Sequence, residues 1–194
     1  MLSVHPKAEI ALDPYLQLYR SLRTAIVNDQ ASEDVRGLYD PASPFQDYYF
    51  RPEQLKMLDL IQKASIDIPF DESERLSLTE SLKKRAVLSS GDLVEAMDQL
   101  KGDNYLDLFL SGIDLIKNTR KKTDADWIGI HENWTVEFLQ PLALAFSEAK
   151  FIIILRDPRA VTTSNMKVAN EAEKGHILSY ARCIRKLMAF AIYY

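Results

Sequence analysis

Cysteine is almost missing. Cys183 stands alone among 194 residues, which excludes an internal disulfide framework and any multi-cysteine metal site. Positive charge is not in excess either. Twenty-four Lys and Arg face 28 Asp and Glu, for a formal charge of -4, so bulk electrostatics do not point to nucleic acid or to a membrane surface. A few cations placed locally would still serve a polyanionic ligand. No apolar run approaches the roughly 18 residues of a membrane-spanning helix. Met1 to Pro6 lacks the charged start and apolar core of a secretory signal. There is no repeat and no low-complexity tract. A soluble, cytoplasmic protein is the expectation, and the 47% hydrophobic content fits one globular domain over residues 1–194 with a sizeable core.

What is present reads as alternating strands and helices. Phe151-Ile152-Ile153-Ile154-Leu155 is a continuous β-branched and aromatic run, the pattern of a strand covered on both faces. Trp127-Ile128-Gly129-Ile130 and Ala8-Glu9-Ile10-Ala11-Leu12 are weaker strand candidates. Each precedes a helical pattern, as in folds with a parallel sheet. Asp13-Pro14 offers an N-cap and a first helical residue, and Leu16, Tyr19, Leu22, Arg23 and Ile26 follow at helical spacing. Asp40 to Pro52 holds three prolines and reads as a loop. From Pro52 to about Lys122 the chain is expected to be helical, with Leu55, Leu58, Ile61 and then Leu106, Phe109, Leu110, Ile113, Ile116 at a period near 3.6. Residues from about 40 to 123 thus form a helical insertion between strands. An amphipathic pattern still runs at Tyr194, through Ile184, Leu187, Met188, Ala191 and Ile192, without a C-cap glycine. Both ends therefore read as cut.

The most informative stretch is Lys150 to Met166, KFIIILRDPRAVTTSNM. An apolar strand would deliver Arg156 to the carboxyl end of a sheet, where open α/β folds bind ligands. Asp157-Pro158 would start a helix whose free N–H groups and partial positive charge suit a phosphate. Ser164, eight residues after Arg156, could grip the same phosphate from a second side. The plainer alternative is that Arg156 pairs with a structural carboxylate and Asp157-Pro158 merely caps a helix.

Leu155-Arg156-Asp157-Pro158-Arg159-Ala160-Val161 with Ser164 resembles the 3′-phosphate-binding motif of sulfotransferases. Gly129 to Phe151, GIHENWTVEFLQPLALAFSEAKF, and the segment around Ser179-Tyr180-Ala181-Arg182-Cys183 are similar to what flanks that motif. The likeness runs from about Trp127 onward, with an echo at residues 4–16. It implies a three-layer α/β fold with a parallel sheet of the P-loop nucleotide-kinase type. It also implies transfer of a sulfuryl group from 3′-phosphoadenosine-5′-phosphosulfate (PAPS) to a hydroxyl or amine acceptor, without a metal. Arg156 and Ser164 map onto the residues that bind the 3′-phosphate of PAPS and of its product, adenosine 3′,5′-bisphosphate (PAP). The family's first loop, which wraps the 5′-phosphosulfate with backbone amides, would lie before His5-Pro6. The chain as given is therefore expected to bind the bisphosphate weakly and to transfer no sulfate.

Two residues are candidates for the chemistry. Asp13 lies eight residues after His5, where the tyrosylprotein branch of the family has an acidic general base; its carboxylate could take the acceptor's proton, or simply cap a helix. His131, 25 residues before Arg156, stands where similar enzymes carry a lysine. It would be a weaker permanent cation, an alternative base, or a half-buried polar residue. Asp13 and His131 are expected to converge from two strand ends on the Arg156 and Ser164 site. Glu132 would orient His131 or cap a helix near Trp134. Trp134, Phe138 and Leu142 read as core, Arg120-Lys121-Lys122 as a solvated helix end, and His5 and His176 lack metal-ligand spacing. Expected partners are the nucleotide donor and an acceptor, with no nucleic acid and no membrane. Two other readings remain open: another P-loop-type transferase such as a small-molecule kinase, needing a GxxxxGK[ST] loop, and a degenerate module that only binds a partner.

Overall fold

The computed structural model describes residues 5–37, 39, 41, 52–120, 125–132 and 135–154. The fold is mixed α/β and mostly helical, around a small parallel sheet. Strand β1 (Ala8–Leu12) is followed by α1 (Leu16–Gln30), α2 (Glu33–Arg36), α3 (Pro52–Lys63) and α4 (Glu72–Ala86). Two 3-10 turns, Gly91–Leu93 and Glu95–Gln99, lead into α5 (Tyr105–Arg120) and strand β2 (Trp127–His131). A 3-10 turn at Thr135–Phe138 and α6 (Leu139–Ala145) come next. By contact density the chain divides into two compact units, Met1–Gln30 with Ile61–Ala145, and Ala31–Leu60 with Phe146–Tyr194.

In the first unit β1 and β2 pair in parallel, with Ala8 opposite Trp127 and Leu12 opposite His131. Both weaker strand candidates therefore form, and the two strands are joined by a long helical crossover, as parallel pairing requires. Helix α1 buries Leu18, Tyr19, Leu22, Arg23, Ile26 and Val27, close to the expected stripe. Its Tyr19 ring meets Phe138 at a 5.5 Å centroid distance; Phe138 is wholly buried and Leu142 nearly so, so both belong to the core as expected. Helix α4 is started by a capping box. The Asp71 carboxylate accepts the Glu74 N–H at 2.8 Å, and the Glu74 carboxylate accepts the Asp71 N–H at 3.0 Å.

Helix α5 has the expected period but a different phase. It buries Tyr105, Leu108, Gly112, Leu115 and Ile116, whereas Leu110 is 45% exposed. The helix turns Gly112 inward because the Tyr15 ring lies against it: a Cβ built there would come within 2.7 Å of Tyr15 Cζ. Arg120, at the end of α5, is not the solvated cation expected. Its guanidinium binds Asp92 through Nε at 2.7 Å and Nη2 at 3.0 Å, and through Nη1 reaches Glu9 at 3.1 Å and the Ile10 carbonyl at 2.9 Å.

In the second unit, α2 carries an exposed Asp34–Lys56 ion pair at 3.0 Å, and the Arg36 guanidinium donates to the Ala31 carbonyl at 3.2 Å. Phe151 to Ile154 form no strand and are exposed, Ile152 by 67% and Ile154 by 68%. That corrects the reading of 151–155 as a buried strand, with Leu155 itself outside the described residues. A strand needs a ladder partner for its N–H and C=O groups, and among the described residues β1 and β2 pair only with each other. The helix expected near Ile184 also lies outside the described residues.

Candidate functional site

The carboxyl ends of β1 and β2 lie side by side, and the chain leaves each through a polar residue. After Leu12, Asp13 takes a left-handed backbone with φ 45°, the one non-glycine residue to do so among the described residues. This corrects the expectation that Asp13 caps a helix starting at Pro14. An N-cap residue needs extended φ/ψ, and α1 begins only at Leu16. The Asp13 N–H donates instead to the His131 carbonyl at 2.8 Å. Asp13 and His131 are thus brought together, across adjacent strand ends.

Glu132 continues β2 and turns back onto the same loop. Its Oε1 accepts the Tyr15 N–H at 2.6 Å in a buried bond. Among the described residues its side chain makes this bond and none to His131, and it holds the approach to α1. Trp134, near which it was expected to cap a helix, lies outside the described residues. The residue is only 9% exposed, and its Oε2 is buried without a hydrogen-bond partner among the described residues. Burial first, and the nearby Asp13 charge second, push its carboxyl up to about 8, against the Tyr15 N–H bond and Arg85.

Helix α4 closes the site from a third side. The Ser90 hydroxyl, 1% exposed, donates to the Leu12 carbonyl at 2.8 Å, and the Ser89 hydroxyl to the Asp13 carbonyl at 3.4 Å. Arg85, in the last turn of α4, is close enough to act on the Glu132 charge, and its Nε is buried without a hydrogen-bond partner among the described residues. Tyr15 anchors the floor. Its phenol donates to the Gly112 carbonyl at 2.6 Å, and burial followed by the Glu132 charge pushes the phenol well above its ordinary range.

Comparison with protein-family models, with curated proteins and with solved structures found no match.

Of the four residues singled out from the sequence, Asp13 and His131 meet here, whereas Arg156 and Ser164 lie outside the described residues. Trp134, His176 and Cys183 also lie outside them. His5 sits in the turn before β1, where its Nδ1 accepts the Lys7 N–H at 3.1 Å. Among the described residues no group of three or more His, Cys, Asp or Glu could hold a metal ion, and no helix is long and apolar enough to cross a membrane. Sequence reasoning missed Arg85, Ser89 and Ser90 entirely. They lie more than 70 residues from Asp13 in the chain, inside a stretch with no motif, and only the packing of α4 brings them to the strand ends. Chemically, the cluster sets the carboxyl groups of Asp13 and Glu132 with the Arg85 guanidinium, beside His131, at the end of a parallel pair where α/β folds bind ligands. Such a set can accept, hold and pass on a proton.

Proposed function

We propose that this chain carries the acceptor side of a sulfuryl-transfer site, within a three-layer α/β fold whose parallel sheet is of the P-loop nucleotide-kinase type. The observation that carries the reading is the junction of Asp13 with His131 at the carboxyl ends of a parallel strand pair, at 2.8 Å through the backbone. The resemblance of Leu155 to Ser164 to a 3′-phosphate motif supports the donor side. In this reading PAPS is the donor, and Arg156 and Ser164 hold its 3′-phosphate by charge-assisted hydrogen bonds. Asp13 takes the proton of an acceptor hydroxyl or amine as that atom attacks sulfur. The bond from sulfur to the 5′-phosphate oxygen breaks, and adenosine 3′,5′-bisphosphate leaves with the electron pair. His131 stands beside the transferring group, as a cation when protonated and as an alternative base when neutral. No metal takes part, and the cytoplasm, which holds soluble nucleotide donors, is the proposed location.

Calorimetry with adenosine 3′,5′-bisphosphate tests the donor half. Binding is expected to fall about ten- to hundredfold in Arg156→Ala, since a charge-assisted bond contributes about 1.5–3 kcal/mol at about 1.4 kcal/mol per tenfold. Binding that Arg156→Ala and Ser164→Ala both leave unchanged would remove PAPS from the reading.

A further inference from the structure

We propose that Glu132 is the positioning residue of this site: its carboxyl clasps the turn that carries Asp13, and gain or loss of its proton resets the electrostatic field at Asp13. This rests on the reading of Asp13 as the proton-accepting group.

The geometry begins with the donors of the turn. Asp13-Pro14-Tyr15 has two backbone N–H groups, because proline has none. Both are taken by consecutive residues at the end of β2: the His131 carbonyl takes Asp13 N–H at 2.8 Å, and Glu132 Oε1 takes Tyr15 N–H at 2.6 Å. The carbonyls of Leu12 and Asp13 are held from the other side by Ser90 and Ser89. A left-handed aspartate is a strained conformation that persists only where its surroundings over-determine it. Of these four ties, only Glu132 supplies an acceptor that can also change charge within the range set by its carboxyl at about 8.

The charge change has few places to go. Facing Glu132 are Asp13 on the turn, the Tyr15 phenol just before α1, and Arg85 from α4; Arg120 at the end of α5 acts on the same region through Tyr15, while His131, before it on β2, is exposed. With Glu132 protonated, Asp13 and Arg85 form a balanced pair of charges. With it ionised, a second carboxylate charge is set beside Asp13 and Arg85. Glu132 Oε2 is sealed from solvent, so it acts on an acceptor through Asp13 and not by touching it.

Carbon-13 and nitrogen-15 NMR of the whole chain tests this without any ligand. In the wild type the Asp13 carboxyl carbon is expected to show an inflection where Glu132 titrates, accompanied by a shift of the Tyr15 amide. Glu132→Gln, which keeps an oxygen for Tyr15 N–H, should lose that inflection but keep the amide protected from hydrogen exchange. Glu132→Ala should speed exchange at Tyr15 about tenfold or more, the loss of one hydrogen bond. An Asp13 signal that does not follow Glu132 in the wild type, or that is the same in Glu132→Gln, would overturn the proposal, as would full protection of Tyr15 in Glu132→Ala. Should the alanine variant not fold, the wild type and Glu132→Gln titrations decide. Failure of bisphosphate binding would leave these spectra untouched, so the two ideas fall separately.

Discussion

Two carboxylate clusters border the same strand pair, and they are built on opposite terms. At one, Arg120 spends Nε, Nη1 and Nη2 on Asp92, Glu9 and the Ile10 carbonyl. The guanidinium holds the Asp92 carboxyl below its usual range, by hydrogen bonding first and charge second. At the other, Glu132 has one bond, one buried oxygen without a hydrogen-bond partner, a carboxylate neighbour, and a carboxyl pushed up to about 8. A satisfied buried network stiffens a fold, whereas an unsatisfied one costs stability and marks candidate functional positions. Asp92 prefers its charge in the folded state; Glu132 prefers its proton. The first cluster ties α5 to β1, and the second stores an instability beside the turn that carries Asp13.

That contrast is sharpest in the pH dependence of stability, where the largest effect is expected. The Glu132 carboxyl lies at about 8 when folded against an ordinary 4.5. Below the ordinary value both states are protonated and the residue has no effect. Between the two values the unfolded chain ionises and the folded one does not, so stability falls as pH rises. Above about 8 the loss is complete. At about 1.4 kcal/mol per pH unit, the loss is on the order of 5 kcal/mol. Denaturant melts at several pH values should show this decline in the wild type, and Glu132→Gln should flatten it and be the more stable protein under alkaline conditions. Equal slopes in the two proteins would erase the distinction between the clusters.

The Arg120 cluster is expected to answer in the opposite sense. Arg120→Met fills the space but leaves the Glu9 carboxylate, whose side chain is 15% exposed, and the Ile10 carbonyl without their cation. Removing one partner of such a network costs about 3 kcal/mol. Arg120→Lys should recover only part of it, because an ammonium cannot make the paired contacts to Asp92. Chemical denaturation at neutral pH measures both; a loss under about 0.5 kcal/mol, the range of an ordinary surface change, would place Arg120 among exposed ion pairs.

The sequence carried the local half of this architecture. Alternating apolar runs gave β1 and β2, and the 3.6-residue period gave α1 and α5. Asp13 and His131 were legible as site candidates only through the resemblance to sulfotransferases, and the strand ends bring their backbones together. What was not legible depends on distant packing. Glu132 was visible, yet its partner, Tyr15, lies 117 residues away. Arg85, Ser89 and Ser90 sit in a helical stretch without a motif, and nothing local sets the face that α4 turns to the strands. Phe151 to Ile154 show the converse, since a strand-like composition makes no strand without a ladder. The phase of α5 was misread because glycine carries no hydrophobic signal, although Gly112 is buried for want of a side chain.

Gly112 links the two clusters, for the Tyr15 ring packed on it feels both the Glu132 and the Arg120 charges. Gly112→Ala should give the smallest effect, because two terms oppose. In the middle of α5, alanine favours the helix by about 1 kcal/mol. Against this, the new Cβ would lie 2.7 Å from Tyr15 Cζ, 2.8 Å from its hydroxyl and 2.9 Å from Cε2. The ring has little room to withdraw, being 1% exposed and tied to the Gly112 carbonyl at 2.6 Å. Overpacking of this kind costs about 1–3 kcal/mol, so a net loss of about 1 kcal/mol is expected. The decisive measurement is a double-mutant cycle with Tyr15→Leu. In that background the clash is gone, and Gly112→Ala should change sign and stabilise by up to about 1 kcal/mol. A cycle with no coupling would mean that the Tyr15 ring yields freely to the new methyl group.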